Sequence, residues 1–94
     1  MNLNEAKKLR DKNLHMVGQK AKNRDANIYD VIVAPDSNLG AFINQYRMYS
    51  DDMNNDEMLM NFPSPTYRVV LVYDIDPELV DITWEEISSY LQNN

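Results

Sequence analysis

Residues 67–74, Tyr-Arg-Val-Val-Leu-Val-Tyr-Asp, constrain most strongly what this chain can fold into. Aromatic and β-branched residues dominate the stretch, so it reads as a strand. Side chains of a strand point alternately to opposite faces, and here both alternating sets are apolar: Val69 with Leu71, and Val70 with Val72. Such a strand needs cover on both faces, or on its better-buried half. The chain must therefore build a sheet with helices packed on it.

The remaining elements are read around that strand. Asn2 followed three residues later by Glu5 is a capping signature, and the Ala, Leu, Lys and Arg that follow predict a helix over about 3–13. In residues 14–20, Leu14, Met16 and Gly18 alternate, which suits a strand at least as well as a helical extension. A strand there would form a hairpin with 28–34, where Tyr29, Val31 and Val33 share one side. Pro35 ends that strand, and Asp36 or Ser37 can cap a helix over 37–50, whose inward stripe is Leu39, Phe42, Ile43, Tyr46 and Tyr49. Residues 51–65 form a long connection, rich in acids and Met, which a helical turn around Asp56–Met60 would shorten. Asp76-Pro77 breaks the strand 67–74. Thr83 with Glu86 then reads as a second capping box, opening a helix over about 84–92 with Trp84, Ile87, Tyr90 and Leu91 inward.

The expected fold is a small single α+β domain over residues 1–94. Its three-stranded mixed sheet (14–20, 28–34, 67–74) carries helices over 3–13, 37–50 and 84–92. Strands 28–34 and 67–74 are expected to run parallel through a right-handed crossover.

Charge is divided unevenly along the chain. Residues 1–25 carry seven bases against three acids, a balance of +4, and residues 26–94 carry two bases against twelve acids, a balance of −10. A basic end on an acidic body orients in the field of a charged partner. There is no cysteine, which excludes a disulfide framework, a thiol nucleophile and cysteine-ligated metal. No apolar stretch follows the N-terminal bases, and the longest apolar run, residues 69–73, is far too short for a bilayer. A cytoplasmic protein without membrane attachment is the expectation.

Few residues could carry chemistry. His15 is the only histidine, and Gly18 and Gly40 are the only glycines, so neither a histidine-based site nor a glycine-rich phosphate loop is present. Asp51-Asp52-Met53-Asn54-Asn55-Asp56-Glu57 fails as a calcium loop, since Glu57 stands where the sharp turn needs Gly. The one place where carboxylates could converge on a divalent cation is Asp74-Ile75-Asp76-Pro77-Glu78. Its Asp-x-Asp resembles the strand end of haloacid dehalogenase-type phosphatases, whose motif continues with Thr or Val where this chain has Glu78. Residues 72–75 resemble the first-strand end of the small ferredoxin-like subunit of CRISPR adaptation complexes, in which that strand opens the chain. Each resemblance spans four or five residues and neither assigns a family. The plainer reading is that Asp74 and Asp76 solvate the strand exit. No cofactor, no metal and no catalytic residue is expected.

Two binding readings remain. Met58, Leu59, Met60 and Phe62, beside Asp56 and Glu57, combine adaptable apolar side chains with acids, as a protein-contact surface would, although they could equally cover the sheet as core. The expected function is therefore a non-catalytic, acidic protein-binding factor: an inhibitor, an adaptor or a subunit. The alternative is a nucleic-acid-associated factor that contacts phosphates through Lys7, Lys8, Lys20 and Lys22.

Overall fold

The computed structural model describes residues 1–22, 24–74 and 82–92. Helix α1 (Leu3–Lys12) begins at the expected capping box: Asn2 Oδ1 accepts from the Glu5 amide at 2.8 Å, and Glu5 Oε1 accepts from the Asn2 amide at 3.3 Å. It ends where Asn13 donates its side-chain amide to the Leu9 carbonyl at 2.8 Å, satisfying one carbonyl of the last turn.

Residues 14–20 do not form the expected strand. Leu14–Met16 is a single 3₁₀ turn, and Gly18 at φ +89° supplies the left-handed bend that follows. The alternation that suggested a strand is real, with Leu14 exposed and Met16 buried, but the tight turn produces it. Of the predicted hairpin only a short bridge remains, Lys20 to Asn27, flanked by Gly18 N–H donating to Ile28 O and Ile28 N–H donating to Gln19 O, each at 2.8 Å.

Strand β1 (Asn27–Pro35) carries a bulge between Ile28 and Asp30. Helix α2 (Leu39–Tyr49) buries Phe42, Ile43 and Tyr46, the centre of the predicted stripe. Its N-cap is Asn38 in a left-handed conformation (φ 56°), rather than Asp36 or Ser37. Asp36 instead accepts from the Thr66 hydroxyl and Arg68 Nε, and the Ser37 amide donates to Ser64 Oγ, so both residues tie the end of β1 to the start of the next strand. Helix α3 (Asn55–Leu59) lies within the long connection as anticipated, capped by Asn54 Oδ1 accepting from the Glu57 amide at 2.9 Å.

Strands β2 (Tyr67–Asp74) and β3 (Ile82–Glu86) complete a sheet of order β1-β2-β3, followed by helix α4 (Ile87–Gln92). The sheet is antiparallel throughout, not mixed. Pro35 at the end of β1 faces Tyr67 at the start of β2, and Asn27 faces Asp74. The connection holds two helices and an extended return, so it delivers the chain back to the end at which β1 finished. The expected parallel crossover cannot form.

The third strand is also in a different place. Residues 82–86 pair with β2 from Asp74↔Ile82 to Val70↔Glu86, so Thr83 and Glu86 are strand residues and the last helix starts at Ile87. Ladder bonds to β2 outweigh the local capping signal. Ile87 and Tyr90 are buried as predicted, while Trp84 and Leu91 are exposed.

β2 sits in the middle of the sheet with Val69, Val70, Leu71, Val72 and Tyr73 all fully buried, so both faces are covered. Helices α1 and α4 pack on β2, α2 and α3 on β1. Phe42 of α2 meets Phe62 edge to face, ring centroids 5.5 Å apart, which anchors the segment after α3 to the core. Among the described residues no helix is long and apolar enough to cross a membrane.

Candidate functional site

The polar residues of α1 and α3 converge on the outer edge of β1. An unpaired strand edge exposes N–H and C=O groups that template pairing with another chain, so it must be covered. Asn55, at the start of α3, covers it by imitating a neighbouring strand. Its Oδ1 accepts from the Val33 amide at 2.8 Å, and its Nδ2 donates to the Val33 carbonyl at 2.9 Å. Arg10 of α1 donates through one guanidinium nitrogen to Asn55 Oδ1 at 2.8 Å and to Asp56 Oδ1 at 2.7 Å, and through Nε to Asp11 at 3.0 Å. Lys7 also approaches Asp56, at 3.9 Å.

Beside this junction lies an open cleft of about 330 Å³, lined by Arg10, Leu14, Asp30, Val31, Asn54 and Asp56 among others. Asp30 is half-buried at the β1 bulge, where it accepts from the Tyr46 hydroxyl at 2.9 Å and from the Val31 amide at 2.8 Å. Burial pushes its carboxyl above the usual range, with the two hydrogen bonds and Arg10 opposing that shift. Burial likewise pushes up the Tyr46 phenol, and the Asp30 charge adds to it. Asp56 is held below the usual carboxylate range by its hydrogen bond from Arg10, despite some desolvation. The acids and the guanidinium are thus one another's partners. The arrangement closes a sheet edge.

Asp30 gives this junction a pH dependence of definite sign. A carboxyl whose folded value is raised contributes its stability fully below the unfolded value and loses it as pH rises through the folded one. Asp36, lowered by its bonds from Thr66 and Arg68, and Asp56 act in the opposite sense, losing their contributions as pH falls. Asp30→Asn is therefore expected to raise the thermal midpoint at neutral pH, with the Tyr46 hydroxyl accepting from the new amide. The gain should vanish below the carboxylate range. Melts of both proteins across pH check this, and a midpoint lowered at neutral pH would refute it.

The residues predicted to form the apolar contact surface are largely inside the protein. Met58 is 0% exposed and Leu59 5%, both in the core; Phe62 packs partly buried against it, and only Met60, 83% exposed, faces solvent. α3 is amphipathic, and its apolar side completes the core beside β1. Of the acids in that set, Asp56 is paired with Arg10 and Lys7, while Glu57 is exposed and in no salt bridge among the described residues. The two rival surfaces therefore meet: Lys7 from the basic segment and Asp56 from the acidic connection pair with each other.

Other bases of the N-terminal segment are similarly engaged. Lys20 approaches Asp25 at 3.9 Å, Arg24 reaches Glu85 at 3.6 Å and lies 4.3 Å over the Tyr73 ring, and Lys22 lies 5.2 Å over the Tyr90 ring. Lys8, Lys12 and Lys22 are the exposed bases of this segment without a salt bridge among the described residues, and Lys22 has the Tyr90 ring instead. Of the strand-exit acids, Asp74 closes β2, and Asp76 and Glu78 lie outside the described residues.

Sequence reasoning missed Asn55 and Asp30 as structural keys, and Met48, Tyr49 and Trp84 as exposed apolar side chains. A signal existed for Asp30, the one charged residue inside the apolar run 28–34. Asn55 had none, because its role depends on a strand 22 residues away. The chain matches no protein-family model, no curated protein and no solved structure.

Proposed function

We propose that this protein is a non-catalytic acidic binding factor whose contact surface lies on the solvent side of residues 48–60. One observation carries the reading: two unbranched apolar side chains, Met48 (69% exposed) and Met60 (83%), stand in water on a stretch that also bears Asp51, Asp52 and Glu57, all exposed and outside any salt bridge among the described residues. Exposed Met adapts to the shape of a partner, and unneutralised acids nearby steer a basic one. Tyr49, also exposed, adds an aromatic contact of the kind enriched at interfaces. The burial of Met58 and Leu59, which hold the segment to the core from the other side of α3, supports this reading.

The nucleic-acid reading has less to support it. Lys7, Arg10, Lys20 and Arg24 have acidic partners in this same chain, so releasing counterions from phosphates would require breaking those pairs first.

The test is affinity capture from native extract after nuclease treatment, with the captured protein identified and its binding then measured by calorimetry. Met48→Ser/Met60→Ser combined with Asp51→Asn/Asp52→Asn is expected to weaken that binding at least tenfold while leaving the melt unchanged. Undiminished binding by the variant removes this surface. Capture that depends on intact nucleic acid and on Lys8 and Lys12 would favour the other reading.

A further inference from the structure

The sheet has two edges, and they are treated differently. The β1 edge is closed by Gly18 and Gln19 at Ile28 and by Asn55 at Val33. Along the outer edge of β3, no backbone hydrogen bond to another element is present among the described residues.

Which groups β3 turns outward follows from register. Val33 bonds outward to Asn55, and in an antiparallel ladder inward and outward residues alternate. Asp30, Ile32 and Ala34 therefore bond β2 at Val72, Val70 and Arg68, and Val69, Leu71 and Tyr73 of β2 bond the other way, toward β3. Leu71 faces Glu85 and Tyr73 faces Thr83, so Thr83 and Glu85 are the inward residues of β3. Ile82 and Trp84 then direct their N–H and C=O groups away from the sheet, as Glu86 does its N–H, while the Glu86 carbonyl opens α4.

These three outward residues are symmetric about Trp84. From this we propose that β3 is a self-association edge: two copies of the chain pair their β3 strands antiparallel about a two-fold axis at Trp84, joining two three-stranded sheets into one. In that register Trp84 faces Trp84 and Ile82 faces Glu86, so the Trp84 N–H and C=O of the two copies pair with each other and each Glu86 N–H meets an Ile82 carbonyl. Side chains agree with the pairing. Trp84, 37% exposed, meets its own copy, and an aromatic cross-strand pair is favourable. Thr83 stands opposite Glu85, so no like charges face each other. The two acids of β3 also have partners within their own chain, Glu85 with Arg24 at 3.6 Å and Glu86 with Arg68 at 3.9 Å, which tempers repulsion between two acidic copies at this edge. The proposal is independent of the surface at residues 48–60.

The full chain itself supplies the test, because Trp84 is its only tryptophan. Sedimentation velocity from micromolar to millimolar protein is expected to show mass doubling, with Trp84 emission moving to the blue over the same range. Residue-resolved amide exchange should show the Trp84 and Glu86 amides slowing with concentration, while Thr83 and Glu85, already bonded to β2, do not change. Trp84→Lys, which sets two ammonium groups across the axis, should weaken the dimer by roughly tenfold or more, and Trp84→Phe should preserve it. If Trp84→Lys fails to fold, the exchange pattern of the unaltered chain decides. A monomer at all concentrations overturns the proposal, as does a dimer in which the Trp84 and Glu86 amides stay unprotected. So does a monomer that accepts only a foreign extended peptide at β3.

Discussion

Leu59→Asp is expected to unfold the protein under conditions in which Met60→Asp leaves it intact. The two residues are neighbours in sequence, yet Leu59 is buried beside Met58 in the core and Met60 stands in solvent. Removing the Leu side chain alone costs about 2–5 kcal/mol, and a carboxylate in its place adds a desolvation penalty with no partner in reach. For a domain of this size that corresponds to a fall of at least about 15 °C in the thermal midpoint. At the exposed neighbour the change should stay within about 0.5 kcal/mol. Thermal and urea melts of the two variants decide the matter; comparable midpoints would mean that α3 does not contribute to the core.

The second large effect is expected at Asn55. Asn55→Leu keeps the approximate shape of the side chain and removes both bonds to Val33 and the one from Arg10. Leaving the Val33 amide and carbonyl part-buried without partners should cost on the order of 2–4 kcal/mol. The effect extends beyond stability, because the β1 edge would become available for pairing with other chains. Accelerated exchange of the Val33 amide, together with aggregation on warming, is the expected signature. Asn55→Asp should fall between, since it still accepts from Val33 and Arg10 but sets a carboxylate against the Val33 carbonyl. If Val33 exchanges at the same rate in Asn55→Leu and the parent, Asn55 is not what closes the edge.

The same two residues show how far the sequence reaches. Asn55 and Leu59 both lie in the long connection, and a helical turn around Asp56–Met60 was legible from the need to shorten it. Which side of that turn faces inward was not, because the turn is too short for its own periodicity to point anywhere. Contact with β1 decides it. Residues 84–92 show the opposite failure. Thr83 and Glu86 carry a valid local capping signal, and Trp84, Ile87, Tyr90 and Leu91 have helical spacing, yet β2 captures residues 82–86 as a strand. Local signals state what a segment can form alone. A ladder to a distant strand adds hydrogen bonds and cross-strand contacts that they do not contain.

What the sequence determined by itself are the features whose causes lie within a few residues. The Asn2–Glu5 box starts α1, Phe42, Ile43 and Tyr46 give α2 its buried side, and Val69–Tyr73 forms a strand that must be covered on both faces. The tertiary structure alone decided the direction of β1 relative to β2, the choice of residues 82–86 over 14–20 as third strand, and the pairing of the basic end with the protein's own acids. Each of these depends on groups far apart in the chain, and short-range propensity carries no record of which distant edge, face or charge a segment will meet once the chain is compact.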